Sequence, residues 1–162
     1  MRAVVDTNVA VTANGHSVQA PLVCVHTCVT RLLQLHERGK IILDTSWLVI
    51  REYKDNLSQS GQPGVGDAFL LWVLQNWKNP EVSEIYHLDC DQQNPEDFVA
   101  FPKDPVLEPF DRKDRKFAAL AAISGAPVWD AVDPDWWEYR EAFQRHGIQI
   151  DFLCPEYLAV EE

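Results

Sequence analysis

Short apolar runs alternate along the chain with longer stretches in which apolar residues recur at helical spacing. Residues 2–5 form the first run, which ends at Asp6 and predicts a strand buried in a parallel sheet. Between Pro21 and Gly39 apolar residues recur every three or four positions. This spacing predicts a helix that begins near Pro21 and ends before Gly39.

The same alternation predicts the rest of the fold. Residues 40–44 form a second apolar run, and Thr45 or Ser46 is expected to cap a helix over residues 47–57. The other predicted elements are helices over 67–77, 112–124 and 136–145 and strands over 85–88, 127–129 and 148–152. Strands that alternate with helices indicate an α/β fold with a parallel, doubly wound sheet.

Two segments lack such a period. Residues 58–66 contain three glycines and Pro63, a composition typical of a surface loop. Residues 89–110 contain four prolines and several acids. We expect this second segment to be a long excursion over the surface and a candidate lid.

Length and hydropathy indicate a single domain spanning residues 1–162. Hydrophobic residues make up 46% of the chain, which suffices for one core. No uninterrupted apolar run is longer than that of residues 68–74, whereas a membrane-spanning helix needs about 20 residues. A carboxylate already at position 6 is unlike a secretory signal, so we expect a cytoplasmic protein without a membrane segment.

The net charge bears on possible partners. The chain has 14 basic and 25 acidic residues, which give a formal charge of −11. Such a charge argues against a protein that holds nucleic acid by bulk electrostatic attraction. The objection weakens if acidic residues gather as metal ligands, because a bound divalent cation reverses the local field.

The four cysteines are Cys24, Cys28, Cys90 and Cys154. They show no CxxC spacing, so neither a disulfide framework nor a zinc ribbon is expected. Cys24 and Cys28 stand four apart on a predicted helix, where they could share a metal with His26 or His36. Ordinary half-buried thiols are more common in such positions, and we assign these cysteines no function.

Candidate chemistry lies in acidic residues near the ends of the predicted strands, since ligands of open α/β sheets bind beyond the carboxyl ends of strands. Asp6 directly ends the first strand, and its alternative role is a cap for the following turn. Glu52 shares a side of its helix with Leu48 and Val49. Its alternative role is a rim side chain that reaches water.

Further acids belong to the second half of the chain. Asp114 precedes Phe117 by helical spacing, and its alternative role is to complement the helix dipole. Asp133 and Asp135 follow a strand, in a turn that is also common without function. Asp111 is predicted to be an N-cap that accepts a hydrogen bond from the N–H of Asp114. A cluster of carboxylates suits Mg²⁺ or Mn²⁺ and the hydrolysis of phosphodiesters.

Three short segments place an acid in a distinctive local context. They are residues 4–9 (Val-Val-Asp-Thr-Asn-Val), residues 114–121 (Asp-Arg-Lys-Phe-Ala-Ala-Leu-Ala) and residues 133–136 (Asp-Pro-Asp-Trp). Together with Glu52 they resemble the PIN-domain family, over most of the chain from residue 4 to about residue 136. The resemblance implies a three-layer α/β/α fold and Mg²⁺- or Mn²⁺-dependent cleavage of RNA.

The resemblance also implies roles for individual residues. The implied catalytic metal ligands are Asp6, Glu52, Asp114 and Asp133, with Asp135 as a supporting acid. We further predict that Asn8, Arg112 and Arg115 contact the RNA, although a solvated helix face is the alternative for the two arginines. The family often has Thr-Gly before its fourth acid, where this chain has Ala131-Val132.

Many bacterial PIN proteins are toxins that pair with antitoxins. This resemblance and the six tryptophans suggest an antitoxin, another protein partner or a homodimer. The alternatives are a PIN-like module that has lost catalysis and binds RNA or protein, and a purely structural adaptor. A haloacid-dehalogenase-like phosphatase is disfavoured, because it needs a second aspartate where Asn8 stands.

Overall fold

The computed structural model describes residues 1–95 and 97–159. Its strands are β1 (Arg2–Val5), β2 (Lys40–Asp44), β3 (Ser83–Tyr86), β4 (Val128–Asp130) and β5 (Ile150–Phe152). Its α-helices are α1 (Thr7–Ala13), α2 (Leu22–Arg38), α3 (Leu48–Asn56), α4 (Val65–Asn76), α5 (Arg115–Ser124), α6 (Pro134–Glu138), α7 (Arg140–Arg145) and α8 (Pro155–Ala159). Short 3₁₀ turns cover Pro105–Leu107 and Arg112–Asp114.

The five strands form one parallel sheet in the order β3-β2-β1-β4-β5. The central strands are apolar and buried, as expected when helices cover both faces of a sheet. Helices α1, α2 and α4 pack against one another, whereas α5 lies along β1 to β4 and touches α3. The prediction of a three-layer α/β/α fold with a central parallel sheet is confirmed.

The N-terminal half contains two features that the sequence analysis did not predict. Helix α1 follows β1 directly, although its threonines and valines have only modest helix propensity. The carboxylate of Asp6 caps this helix by accepting a hydrogen bond from the N–H of Asn8. At the start of α3 the capping oxygens come from Asp44, which binds the N–H groups of Leu48 and Val49. Neither predicted residue, Thr45 or Ser46, caps this helix.

The last third of the chain forms more and shorter helices than predicted. Residues 136–145 were expected to form one helix, but the structure has two short helices, α6 and α7, which meet at Tyr139. Pro134 occupies the first turn of α6, where its missing N–H has no helical partner to lose. Helix α8 follows β5 and was not predicted. Among the described residues, no helix is both long and apolar enough to cross a membrane.

Residues 89–110, apart from residue 96, form the expected long excursion. The segment is nevertheless anchored in the core, because Phe98, Phe101, Leu107 and Phe110 are buried. The ring of Phe110 packs edge-on against that of Trp136, with centroids 4.9 Å apart. This anchoring speaks against the lid that the composition suggested.

Arg115 also holds residues 89–110 in place, through hydrogen bonds to this segment. Its buried guanidinium donates to Asp97 at 2.9 Å and to the backbone carbonyls of Glu108 and Phe110 at 2.8 and 3.3 Å. The guanidinium carbon also lies 4.6 Å from the centroid of the Phe101 ring. A buried cation with this many partners is part of the fold's support.

Replacement of Arg115 by methionine should therefore lower the free energy of unfolding. Arg115→Met preserves most of the apolar volume but removes one of the two arginine donors to Asp97 and the side-chain donor to two backbone carbonyls, a loss of about 1.5–3 kcal/mol. Urea denaturation measures the effect. The control is Arg112→Met, because Arg112 binds the same Asp97 from a half-exposed position and should contribute less than about 1 kcal/mol. Equal losses for the two variants would contradict the role given to burial.

Cys24 and Cys154 form a disulfide, contrary to the expectation that the cysteines are unpaired. Their Cα atoms are 5.5 Å apart, although 130 positions separate them in sequence. Cys24 lies on α2 and Cys154 follows β5, so the bond joins the end of the chain to the helix layer. Cys28 is buried and free, and Cys90 is exposed and free.

Candidate metal centre

Two neighbouring strands, β1 and β4, end side by side at the centre of the sheet. On one side of this pair the chain continues outward from β1 to β2 and β3, and on the other side it continues outward from β4 to β5. Such a reversal of strand order opens a crevice at the carboxyl ends of the strands, where α/β proteins bind ligands. Asp6 follows β1 at this crevice, and Asp130 is the last residue of β4.

Asp6 is almost completely buried, with 4% exposure. One carboxylate oxygen accepts a hydrogen bond from the N–H of Asn8 at 3.0 Å, and the other from Nε1 of Trp136 at 2.8 Å. Burial raises the pKa of Asp6 to about 7, and the charges of Glu52 and Asp133 add to this effect. The two donors fix the direction of the carboxylate, so it faces the crevice in a defined orientation.

Asp114 and Asp133 complete a cluster with Asp6. One carboxylate oxygen from each of the three residues lies within 4.8 Å of the other two. Burial raises the pKa of Asp114 to about 9, with further contributions from the charges of Asp6 and Asp133. Burial also raises the pKa of Asp133, although the N–H of Asp135 donates to its carboxylate at 3.0 Å. Carboxylates this close need either a shared proton or a cation.

A second cluster shares Asp114. Carboxylate oxygens of Asp111, Asp114 and Asp135 also lie within 4.8 Å of one another. Asp111 is an N-cap as the sequence predicts, but its carboxylate binds the N–H of Lys113, and the N–H of Asp114 binds the Asp111 backbone carbonyl. Asp111 is therefore both a cap and an acid within ligand distance, a combination that the sequence analysis did not foresee.

Glu52 lies beside these clusters but belongs to neither of them. Its carboxylate accepts hydrogen bonds from the hydroxyl of Thr7 and, at 2.7 Å, from the ammonium group of Lys116. Its charge nonetheless contributes to the raised pKa values of Asp6 and Asp114. Each oxygen of Glu52 thus already accepts a hydrogen bond, and the predicted metal contact would use a remaining lone pair or replace one of these partners.

Asp130 is the acid that sequence reasoning missed. It is fully buried, and one oxygen accepts hydrogen bonds from the Asn8 side chain at 2.9 Å and from the N–H of Asp133 at 3.2 Å. Its other oxygen is buried without a hydrogen-bond partner among the described residues. Burial, reinforced by the charge of Asp6, holds the pKa of Asp130 well above its ordinary value. The available signal was its position at the end of an apolar run, the same context that marked Asp6.

The three residues predicted to contact RNA have internal partners. Asn8 donates to Asp130 and accepts from the N–H groups of Ala131 and Val132, so it joins the ends of β1 and β4. Arg112 and Arg115 both bind Asp97. Because Arg115 is buried, it does not present its guanidinium to a substrate in this arrangement.

Comparison of the chain with models of protein families, with curated proteins and with solved structures yields no match. Its function therefore has to be inferred from the geometry and chemistry of the carboxylate clusters.

Proposed function

We propose that this protein is an endoribonuclease that depends on Mg²⁺ or Mn²⁺, with the ion held by Asp6, Asp114 and Asp133. The observation that carries the proposal is the convergence of these three carboxylates within 4.8 Å at the reversal point of a parallel sheet. Asp135 supports the centre next to Asp133, and Glu52 lies at its edge. A chain with a net charge of −11 also needs a cation where a phosphate is to approach.

The donor set fits a hard divalent cation. Every candidate ligand atom in the two carboxylate clusters is a carboxylate oxygen, the type that Mg²⁺ and Mn²⁺ favour. Among the described residues, neither cluster includes a histidine or a cysteine, which would favour zinc. The buried oxygen of Asp130, which has no hydrogen-bond partner among the described residues, belongs to a carboxyl group whose pKa burial and the charge of Asp6 raise. Burial and the neighbouring carboxylates raise the pKa values of Asp6 and Asp114, and a bound cation could take the place of the protons that these acids would otherwise hold.

A bound divalent ion would supply an activated water and stabilise the charge that develops on the phosphate and the leaving oxygen. The protein's own residues orient the ligands. Asn8 and Trp136 direct the two oxygens of Asp6, and the Asn8 side chain holds the end of β4 against the end of β1. Lys116, next to Glu52, places a positive charge at the edge where RNA phosphates would approach.

RNA is proposed as the substrate because of the resemblance of residues 4–9, 114–121 and 133–136 to PIN-domain ribonucleases. The same resemblance supports an antitoxin or other protein partner, whereas a cytoplasmic location is proposed from the carboxylate at position 6, which is unlike a secretory signal. A catalytically inactive RNA- or protein-binding module is the second candidate, favoured by the pairing of Glu52 with Thr7 and Lys116. The two candidates differ in whether a metal ion produces cleavage.

The direct test incubates purified protein with single-stranded and folded RNAs in Mn²⁺, in Mg²⁺ or in EDTA. The proposal expects internal cleavage that requires the metal and disappears with the chelator. Undiminished cleavage in EDTA would refute the metal mechanism. Metal-independent RNA binding without any cleavage would favour the inactive module.

Substitutions at Asp111 and Asp114 should separate the cap from the shared ligand. Asp111→Ala removes a hydrogen bond to Lys113 and should lower the free energy of unfolding by about 0.5–2 kcal/mol while most of the cleavage activity remains. Asp114→Asn should lower stability little and remove most of the activity, because Asp114 belongs to both carboxylate clusters. Urea denaturation and RNA cleavage, measured on both variants, check this division. Loss of cleavage in folded Asp111→Ala, with cleavage retained in Asp114→Asn, would move the essential ligand to Asp111.

A further inference from the structure

Three cysteines form a third group of candidate ligands, which shares no residue with the two carboxylate clusters. Cys24 and Cys28 stand four apart on α2, one turn from each other, and Cys154 reaches them from the segment after β5. All three sulfur atoms lie within 4.8 Å of one another, and all three residues are buried. Cys24 and Cys154 are joined as a disulfide, and Cys28 is a thiol.

The disulfide accounts for only two of these sulfur atoms. A cross-link between α2 and the end of the chain needs Cys24 and Cys154 alone, yet a third sulfur lies at ligand distance from both. Once the disulfide is reduced, the cluster offers three soft donors, which bind Zn²⁺ well. Tetrahedral zinc with Zn–S distances of about 2.3 Å places its sulfur ligands about 3.8 Å apart, a spacing this cluster can reach with small side-chain movements.

We propose that Cys24, Cys28 and Cys154 of the reduced protein bind Zn²⁺, so that zinc and the disulfide are alternative cross-links between α2 and the end of the chain. A dithiol reductant supplies two electrons and two protons to the disulfide, and it is itself oxidised to a disulfide. The binding of Zn²⁺ then releases one proton from each of the three thiols. This cysteine site shares no residue with the two carboxylate clusters, and the proposal does not depend on the proposed nuclease activity.

The surroundings favour Zn²⁺ over Cu⁺. Three thiolates with Zn²⁺ carry a net charge of −1, whereas with Cu⁺ they carry −2, and the burial of all three cysteines disfavours the larger uncompensated charge. A groove of about 170 Å³ leads to the cluster and is lined by Pro21, Cys24, Cys154 and Tyr157. It gives the ion a route to the sulfurs and leaves room for a water as fourth ligand.

Co²⁺ is the probe for this site, because thiolate ligands give Co²⁺ a charge-transfer absorption in the near ultraviolet that carboxylate ligands do not. The protein is reduced with a dithiol and desalted without oxygen, and Co²⁺ is then added. We expect the thiolate band to reach its maximum at one equivalent and to disappear when Zn²⁺ is added. The oxidised protein, whose disulfide is intact, should show no band.

Two variants locate the ligands. Reduced Cys28→Ser should lose the band, whereas Cys90→Ser, which removes the exposed cysteine outside the cluster, should keep it. Circular dichroism shows that each protein is folded, and Cys28→Ala replaces Cys28→Ser if the serine variant does not fold. Absence of the band in the folded, reduced wild-type protein would overturn the proposal. A band of equal strength in the oxidised protein or in a folded Cys28 variant would overturn it as well.

Discussion

Asp6→Asn is expected to reduce metal-dependent RNA cleavage by more than about 100-fold, beyond the loss typical of residues that only support a ligand. The substitution keeps the size of the side chain but removes the negative charge from the carboxylate that faces the cluster with Asp114 and Asp133. The amide oxygen of asparagine can still accept one hydrogen bond, from the N–H of Asn8 or from Nε1 of Trp136. The fold should therefore persist while the centre loses a ligand charge.

The measurement is the initial rate of cleavage of one defined RNA in saturating Mn²⁺. The matched control is Asp55→Asn, which makes the same change of charge on the exposed side of α3, away from both carboxylate clusters. Asp55→Asn should cleave at the wild-type rate. If Asp6→Asn keeps wild-type activity, or if the two variants lose activity equally, Asp6 is not a ligand of the catalytic ion.

The second large effect concerns the stability of the metal-free protein, which should fall as the pH rises from about 5 to about 8. The pKa of Asp6 is raised from 3.8 to about 7 and that of Asp114 from 3.8 to about 9, mainly by burial. The folded protein therefore holds protons in this range that the unfolded chain has released, and stability decreases with pH. Below about pH 4 these acids are protonated in both states and cause no loss of stability. The loss increases as the pH rises from there to the raised pKa values of the folded protein. The total loss should reach several kcal/mol, since a tenfold change in proton affinity corresponds to about 1.4 kcal/mol.

Mn²⁺ should oppose this loss, because the cation takes the place of the protons and binds most strongly where the carboxylates are ionised. The lowered pKa values of Glu84 and Asp67 change stability only below about pH 4.5, outside this window. Urea denaturation at several pH values, in EDTA and in Mn²⁺, measures both effects. Asp6→Asn should be more stable than the wild-type protein in EDTA and should depend less on pH, as repulsion in the cluster is relieved. A metal-free protein whose stability is constant or rises over this range would contradict the proposed charge crowding.

Local pattern was sufficient to predict the layers of the fold. The apolar runs that became β1 and β2, and the helical spacing of α2, specify burial on a sheet or along one helix face regardless of their partners. Because Asp6 follows such a run directly, its place at the carboxyl end of a strand was predictable as well. Short helices and breaks between helices were less predictable. Helix α1 and the break at Tyr139 depend on packing that overrides weak local preferences.

Contacts between distant parts of the chain decided what the candidate site contains. Trp136 orients Asp6 across 130 positions of sequence, Asn8 holds Asp130 across 122, and Cys24 meets Cys154 across 130. A periodic pattern reports which face of its own element a residue occupies, and it carries no information on which side chain arrives from another element. The unpartnered oxygen of Asp130, the pairing of Glu52 with Lys116 and the third sulfur at Cys28 were therefore settled only when β1, β4 and α2 packed together.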